Sequence, residues 1–258
     1  FIRGDSEAIL VDYANQYADS VAFVMVDYRL YDGETVAYRN RTEGTAFLVD
    51  EDGYLLTSRH VACPWLEDSN LYVVINMLRQ AQHQLRLEHQ VYLWFEGEKA
   101  FNRVPDLSAS TDLEDIYALG LAFRTDGSPR LTIFGVAKPP AKTWQLVKSP
   151  LKDDFAVLKI DHVPAGLKPL PLDLHMDPLK LPRLSPVITL GFPLGSRTQE
   201  TTVNVSVTQG HVRRTFENMF QVDTSLHGGN SGGPMIDIRG KVIGIASGVA
   251  MGWAVGPV

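Results

Sequence analysis

Cysteine is almost missing from this chain. Cys63 is the only one in 258 residues, so no intrachain disulfide can hold the fold. Long apolar runs are missing too; none approaches the roughly 18 residues that a bilayer-crossing helix needs. Positive charge is not in excess, because 24 Lys and Arg stand against 30 Asp and Glu for a net charge of -6. That balance argues against nucleic acid or an anionic membrane surface as the main partner. No leader segment is visible and the chain begins at Phe1, which reads as a mature form or an excised fragment. No internal repeat is visible. His83 and His89 are spaced off any single helix face, and no Cys or carboxylate pair completes a metal set. Both are read as surface residues, and no metal or cofactor is expected. What remains is an ordinary globular composition, 45% hydrophobic, enough for one or two domains with a sizeable core.

Three stretches carry chemistry. Gly228-Gly229-Asn230-Ser231-Gly232-Gly233-Pro234 follows the strand-like run Met219–Asp223. A serine among glycines suits a tight loop whose backbone N–H groups point at a bound oxygen. Leu55 to Ala62 ends an apolar strand with His60, and Asp153-Asp154 heads another, Phe155 to Ile160. The chain order is therefore His, Asp, Ser, one of the orders in which a nucleophilic triad is built. The glycine motif also fits a nucleophile elbow, but that arrangement needs a histidine after the serine, and residues 232–258 contain none. An Asp-His-Ser order would require Asp50 or Asp52 and would leave the Asp154 strand unexplained.

With Gly44-Thr45-Ala46-Phe47-Leu48-Val49, these stretches resemble the trypsin-like serine proteases. The bacterial HtrA/Deg branch is nearest, because Asn230 precedes Ser231 where digestive proteases have Asp. Val187 to Gly195 and Gly252-Trp253-Ala254-Val255 match as well, and the resemblance covers roughly 20–62, 143–160 and 165–258. It implies an all-β, chymotrypsin-like fold of two antiparallel six-stranded β-barrels, with a largely helical or mixed insertion in the first. Residues 1–160 would hold the first barrel, a helical N-terminus and an insertion at about 66–142; 161–185 would be a Pro-rich linker, and 186–258 the second barrel.

The resemblance also assigns roles. Ser231 would be the nucleophile, His60 its base and Asp154 the residue that holds His60. Asp153 is the rival, but the family motif places its aspartate directly before an apolar-Ala-apolar run. The N–H groups of Gly229 and Ser231 would form the oxyanion hole. Substrate would lie as a strand beside Ser247-Gly248-Val249, and Ser225 would give the specificity pocket a neutral floor. The partners implied are polypeptide substrates, in a periplasmic or secreted rather than cytoplasmic location; the oligomeric state stays open. A latent or non-catalytic peptide-binding module is the alternative. Asn230 is neutral, so activity is not expected to need a freshly cleaved N-terminus. Cys63 reads as a small buried hydrophobe and His227 as structural.

The periodicity predicts a helix over 6–18 with Ala8, Ile9, Leu10 and Val11 near one face. Strands are expected at Val21–Tyr28, Thr35–Tyr38, Gly44–Asp50 and Tyr54–Thr57. Leu71, Val74, Ile75, Leu78 and Leu85 suggest a helix capped by Ser69. Val91–Phe95 returns to strand, Thr111–Leu121 reads as a helix, and Leu131–Ala137 and Thr143–Lys148 read as strands. Six strands follow the linker, at Val187–Leu190, Thr201–Thr208, Phe216–Val222, Pro234–Ile238, Val242–Ser247 and Trp253–Val255.

Overall fold

A computed structural model describes residues 2–81, 84–99, 109–112, 121–122, 131–136, 154–216 and 219–247. Residues 2–6 and the three pieces between 109 and 136 are described by backbone alone. The chain opens with α1 (Ile2–Tyr17), followed by β1 (Val21–Asp32), β2 (Thr35–Leu48), β3 (Tyr54–Thr57), α2 (Arg59–Ala62) and α3 (Ser69–Gln80). Next come β4 (Leu85–Phe95), β5 (Ala109–Asp112), β6 (Leu121–Ala122), β7 (Leu131–Val136) and β8 (Ala156–Ile160). The second half holds β9 (Pro186–Gly191), β10 (Ser206–Thr215), β11 (Phe220–Val222), β12 (Pro234–Asp237) and β13 (Val242–Ile245).

These strands make two curled antiparallel sheets. The 8-stranded sheet runs β5-β4-β1-β2-β3-β8-β7-β6, and the 5-stranded sheet β11-β10-β9-β12-β13. β6 and β7, at the far end of the first order, come back against β4, so that sheet curls on itself. The all-β, two-sheet expectation is met, while the strand counts among the described residues differ from six and six. The stretch between 66 and 142 supplies α3 together with β4 to β7, which lengthens the first sheet. Trp253–Val255 and Thr143–Lys148 lie outside the described residues.

β1 shows why the chain reads as it does. Ala22, Val24, Val26, Tyr28 and Leu30 face the core of the first sheet, with Leu55, Leu87 and Leu158. Phe23 and Met25 face the other way, into a second core shared with α1, Ile188, Leu190 and Phe192. A strand covered on both faces carries a continuous apolar run rather than an alternating one. The second core joins the two sheets. α1 lays Leu10, Ala14 and Tyr17 onto it, one face at helical spacing, whereas Ile9 and Val11 are exposed, contrary to the grouping expected from sequence. Residues 162–184 bind both halves: Leu170 N–H donates to Leu48 O at 2.9 Å, and Val242 N–H to Pro171 O at 2.8 Å.

Several local expectations are corrected. α3 is capped by Asp68, not Ser69: Asp68 Oδ1 accepts from the amides of Asn70 at 3.0 Å and Leu71 at 3.2 Å. Its other oxygen takes the Tyr28 and Tyr38 hydroxyls and the Asn40 amide group. Burial would raise the Asp68 carboxyl, but these donors hold it below the usual carboxylate range. Leu85 begins β4 rather than ending α3. The ends of the expected Thr111–Leu121 helix fall in β5 and β6, and its middle lies outside the described residues. The strand expected over Thr201–Thr208 starts at Ser206 and runs on to Thr215.

His89 is the largest correction. Its place on β4 between Leu87 and Val91 puts it on the inward face, where it is 1% exposed with its ring 4.5 Å from that of Trp65. Among the described residues neither ring nitrogen has a hydrogen-bond partner. His83 lies outside the described residues. Burial pushes the His89 pKa down to about 4. The unfolded chain binds a proton on this ring near pH 6.5 and the folded chain does not, so stability falls as the pH drops from about 6.5 to 4. At ~1.4 kcal/mol per unit, the loss is about 3 kcal/mol. His89→Phe should flatten that part of the curve and cost little at neutral pH, since it removes two unpaired polar atoms. Urea midpoints between pH 4 and 7 check this; an unchanged slope would refute it.

Candidate active site

The site forms where the two sheets meet. β3 and β8 are antiparallel with Thr57 opposite Ala156. Continuing past Thr57 to His60, and back from Ala156 to Asp154, leaves the sheet at the same end. His60 Nδ1 lies 2.7 Å from Asp154 Oδ2, and the His60 amide donates to Oδ1 at 3.1 Å. Asp154 is buried while the His60 side chain keeps 20% exposure, so the ring is gripped from behind and open in front. Asp153 lies outside the described residues.

Ser247, two residues beyond β13, donates its hydroxyl to Asp154 Oδ2 as well. Burial alone would raise the Asp154 carboxyl, yet the His60 and Ser247 contacts hold it below its ordinary value. It is therefore ionised at neutral pH. The sequence offered no signal for the Ser247 contact; a serine after an apolar strand does not say which carboxylate its side chain reaches. Gly248 and Val249, expected with Ser247 along a substrate edge, lie outside the described residues.

The Gly228–Pro234 loop is tied to β2 and β3. Thr45 N–H donates to Ser231 O at 2.8 Å, and Thr45 Oγ1 to Gly229 O at 2.7 Å. Ser58 Oγ donates to Ala246 O at 2.9 Å, and the Gly232 amide to the same carbonyl at 2.6 Å. These bonds bring Ser231 to the end of the fold that carries His60. Gly229 has φ +100, and a Cβ there would fall 2.0 Å from Phe192 O, so only glycine fits. Along the loop the amides of Asn230 and Gly232 donate inward, to His227 O and Ala246 O. Among the described residues, the amides of Gly229 and Ser231 donate to no backbone carbonyl. Nor does the Ser231 hydroxyl bond to His60 among the described residues.

Behind the histidine lies an ion pair that sequence reading missed. Arg59, 1% exposed, reaches Glu67 Oε1 at 3.2 Å. Removing one partner of such a buried pair typically costs ~3–5 kcal/mol, so it braces α2 rather than decorating it. Cys63 is 2% exposed and burial pushes its thiol up to about 12, which leaves it inert beside His60. Ser225 and His227 are exposed at the start of the serine loop. Among the described residues no group of His, Cys, Asp and Glu is arranged to hold a metal ion.

Comparison with known proteins follows the same pattern. Serine protease Do-like HtrA of Lactococcus lactis is 38% identical over 103 residues, 36% of this chain and 24% of the relative. Serine protease Do-like HtrB of Bacillus subtilis is 31% identical over 147 residues, 53% of this chain and 30% of the relative. A probable periplasmic serine endoprotease, DegP-like, of Chlamydia trachomatis is 25% identical over 222 residues, 83% of this chain and 30% of the relative. The chain thus matches less than a third of each of these relatives' length. A solved structure of Deg5 overlays with a TM-score of 0.47 at 18% identity, over 93% of this chain and 85% of that one. A family model, trypsin-like peptidase domain, matches residues 44–245, a span that includes His60, Asp154 and Ser231, and the chain belongs to that family.

Proposed function

We propose that this chain is a serine endopeptidase acting through Ser231, His60 and Asp154 and an acyl-enzyme intermediate. The observation that carries the reading is the doubly held carboxylate of Asp154, bonded to both the backbone and the ring of His60. It keeps a proton on Nδ1 and leaves Nε2 as the acceptor. Ser231 Oγ attacks the peptide carbonyl carbon as its proton passes to Nε2. The carbonyl oxygen, now negative, takes the Gly229 and Ser231 amides, which have no backbone acceptor of their own among the described residues. Each such donor is worth ~3 kcal/mol in the transition state. His60 then gives its proton to the leaving amine, the C–N bond breaks, and the acyl group stays on Ser231. Water, deprotonated by His60, releases it by the same steps in reverse.

The substrate is proposed to lie as a strand along Ser247-Gly248-Val249, with its side chain before the scissile bond over Ser225. Asp223, the nearest carboxylate in sequence, is engaged by Arg213 and by the His211 amide, which supports a neutral pocket. The name of the chlamydial relative places it in the periplasm. A periplasmic or secreted location is proposed here on that likeness. A second reading, a latent resting form or a peptide-binding module, draws on the Ser231 hydroxyl that does not bond to His60 among the described residues.

An active-site-directed fluorophosphonate separates the readings, since labelling at Ser231 requires an activated hydroxyl. Ser231→Ala should abolish labelling and peptide hydrolysis while leaving thermal stability nearly unchanged, and His60→Ala should lose as much activity. Asp154→Asn should lower kcat by about 10⁴-fold, and Asp153→Asn should do little. A Ser231→Ala protein that keeps most of its rate would sink the mechanism. On peptide libraries, cleavage should favour small or medium apolar residues before the scissile bond. A buried substrate Lys or Arg would lack a charge partner at a cost of several kcal/mol. Strong cleavage after Arg or Lys would contradict the neutral pocket.

A further inference from the structure

Glu43 stands on β2 just before the Gly44-Thr45 segment that grips the serine loop. Its side chain crosses to the other half of the protein, where Oε2 accepts from the Ser196 amide at 2.8 Å and Oε1 from the Ser196 hydroxyl at 2.7 Å. With both oxygens taken by one residue, the carboxylate is a clasp with a fixed direction. The clasped segment, Gly195–Thr198, is a single tight turn, closed by Thr198 Oγ1 donating to Pro193 O at 2.8 Å. Gly195 lies directly beneath Glu43. It has φ +57, and a Cβ there would sit 2.1 Å from Oε2, so the clasp closes only over glycine.

The turn leads to the serine loop. Leu194 has φ +63, a left-handed conformation that is unfavourable for a residue with a Cβ and that persists where neighbours enforce it. Its amide donates to Gly228 O at 2.6 Å, and the next amide, of Gly195, donates to Phe192 O at 2.9 Å. Gly228 O and Gly229 N–H belong to one planar peptide unit. Holding the oxygen on one side therefore aims the N–H to the other. That N–H is one of the two donors assigned above to the oxyanion. If Gly228 O were released, the unit would be free to rotate, and the donor would leave its position without any change in the triad.

We propose that Glu43 is a positioning residue that locks the Gly228–Gly229 peptide, through Ser196 and the Leu194 turn, in the orientation the oxyanion hole requires. The proposal rests on the serine-peptidase reading. Glu43 acts from a distance, and its effect is on transition-state stabilisation rather than on substrate binding.

The test uses Glu43→Ala, Glu43→Gln and Ser196→Ala in the full chain, with folding checked by circular dichroism. Complete loss of one oxyanion donor costs about 10²- to 10³-fold, and an unlocked peptide loses it part of the time, so Glu43→Ala should lower kcat about 10- to 100-fold. KM should stay within about twofold, because ground-state contacts are untouched. Fluorophosphonate labelling should slow in parallel. Glu43→Gln keeps an acceptor for the Ser196 amide and should recover most of the rate. Amide hydrogen exchange at Leu194 should rise about 10-fold or more in Glu43→Ala, a readout that needs no activity. A folded Glu43→Ala protein with wild-type kcat and unchanged Leu194 exchange overturns the proposal, as does a rise in KM at constant kcat. If Glu43→Ala does not fold, Ser196→Ala carries the test, since it removes one hydrogen bond and keeps the amide. It should lower kcat about 3- to 10-fold, and an unchanged rate overturns the clasp. Failure of the wild-type protein to label at Ser231 defeats the peptidase reading instead, and Leu194 exchange still decides whether Glu43 holds the turn.

Discussion

The carboxylate of Asp154 is the point on which the two halves of this protein agree. It stands just before β8 in the first sheet, holds the backbone and ring of His60, and receives the Ser247 hydroxyl from just beyond β13 of the second. A buried carboxylate left alone costs several kcal/mol. Hydrogen bonds to a charged group return ~1.5–3 kcal/mol each, so three donors outweigh that cost. The depressed carboxyl is consistent with that sum. One consequence is geometric: since Ser247 follows β13 of the second sheet by two residues, the sheets cannot slide far without leaving Asp154 short of a donor. The orientation of His60 is thereby tied to the docking of the two halves.

That docking has an apolar counterpart. Phe23 and Met25 on the outer face of β1 meet Ile188, Leu190 and Phe192, with Leu10, Ala14 and Tyr17 of α1 closing the side. Phe192 serves two purposes. Its side chain is fully buried in this core, and its carbonyl lies against Gly229 and takes the Gly195 amide. The serine loop is thus set on a residue that the hydrophobic interface already immobilises. Directional bonds from Thr45 then fix what the apolar contact cannot, namely which way each peptide of the loop points.

Much of this was legible in the residues. The His60, Asp154 and Ser231 stretches each join an apolar strand to a chemical group, and antiparallel pairing brings the first two to one end. Alternation on β4 also carried the burial of His89, between Leu87 and Val91, but a polar residue type outweighed position in the reading. The misplaced cap of α3 has a similar cause. Ser69 and Asp68 are both good caps, and the choice was made by Tyr28, Tyr38 and Asn40, whose arrival at Asp68 is tertiary. Contacts such as Arg59–Glu67, Ser247–Asp154 and Glu43–Ser196 have no period in the sequence. They follow from how separate elements meet, and only coordinates reveal them.

Asn230 shows what the neutral residue before the serine requires of the rest. It is 3% exposed, and its side chain sits against Gly191 on β9. A carboxylate in that place would need a cation brought inside with it, and the loop would then be ordered only when the cation arrived. A carboxamide makes no such demand, so order must come from contacts already within the fold. Those contacts are present. Asn230 O accepts from Gly233, Ser231 O from Thr45, and Gly228 O from Leu194, one bond for each of three peptides around the serine. Each comes from a different neighbour: the loop itself, β2, and the turn after β9. A loop held by neutral bonds needs no cation brought in beside the serine to order it. Its state is set by whether those neighbours stay in place.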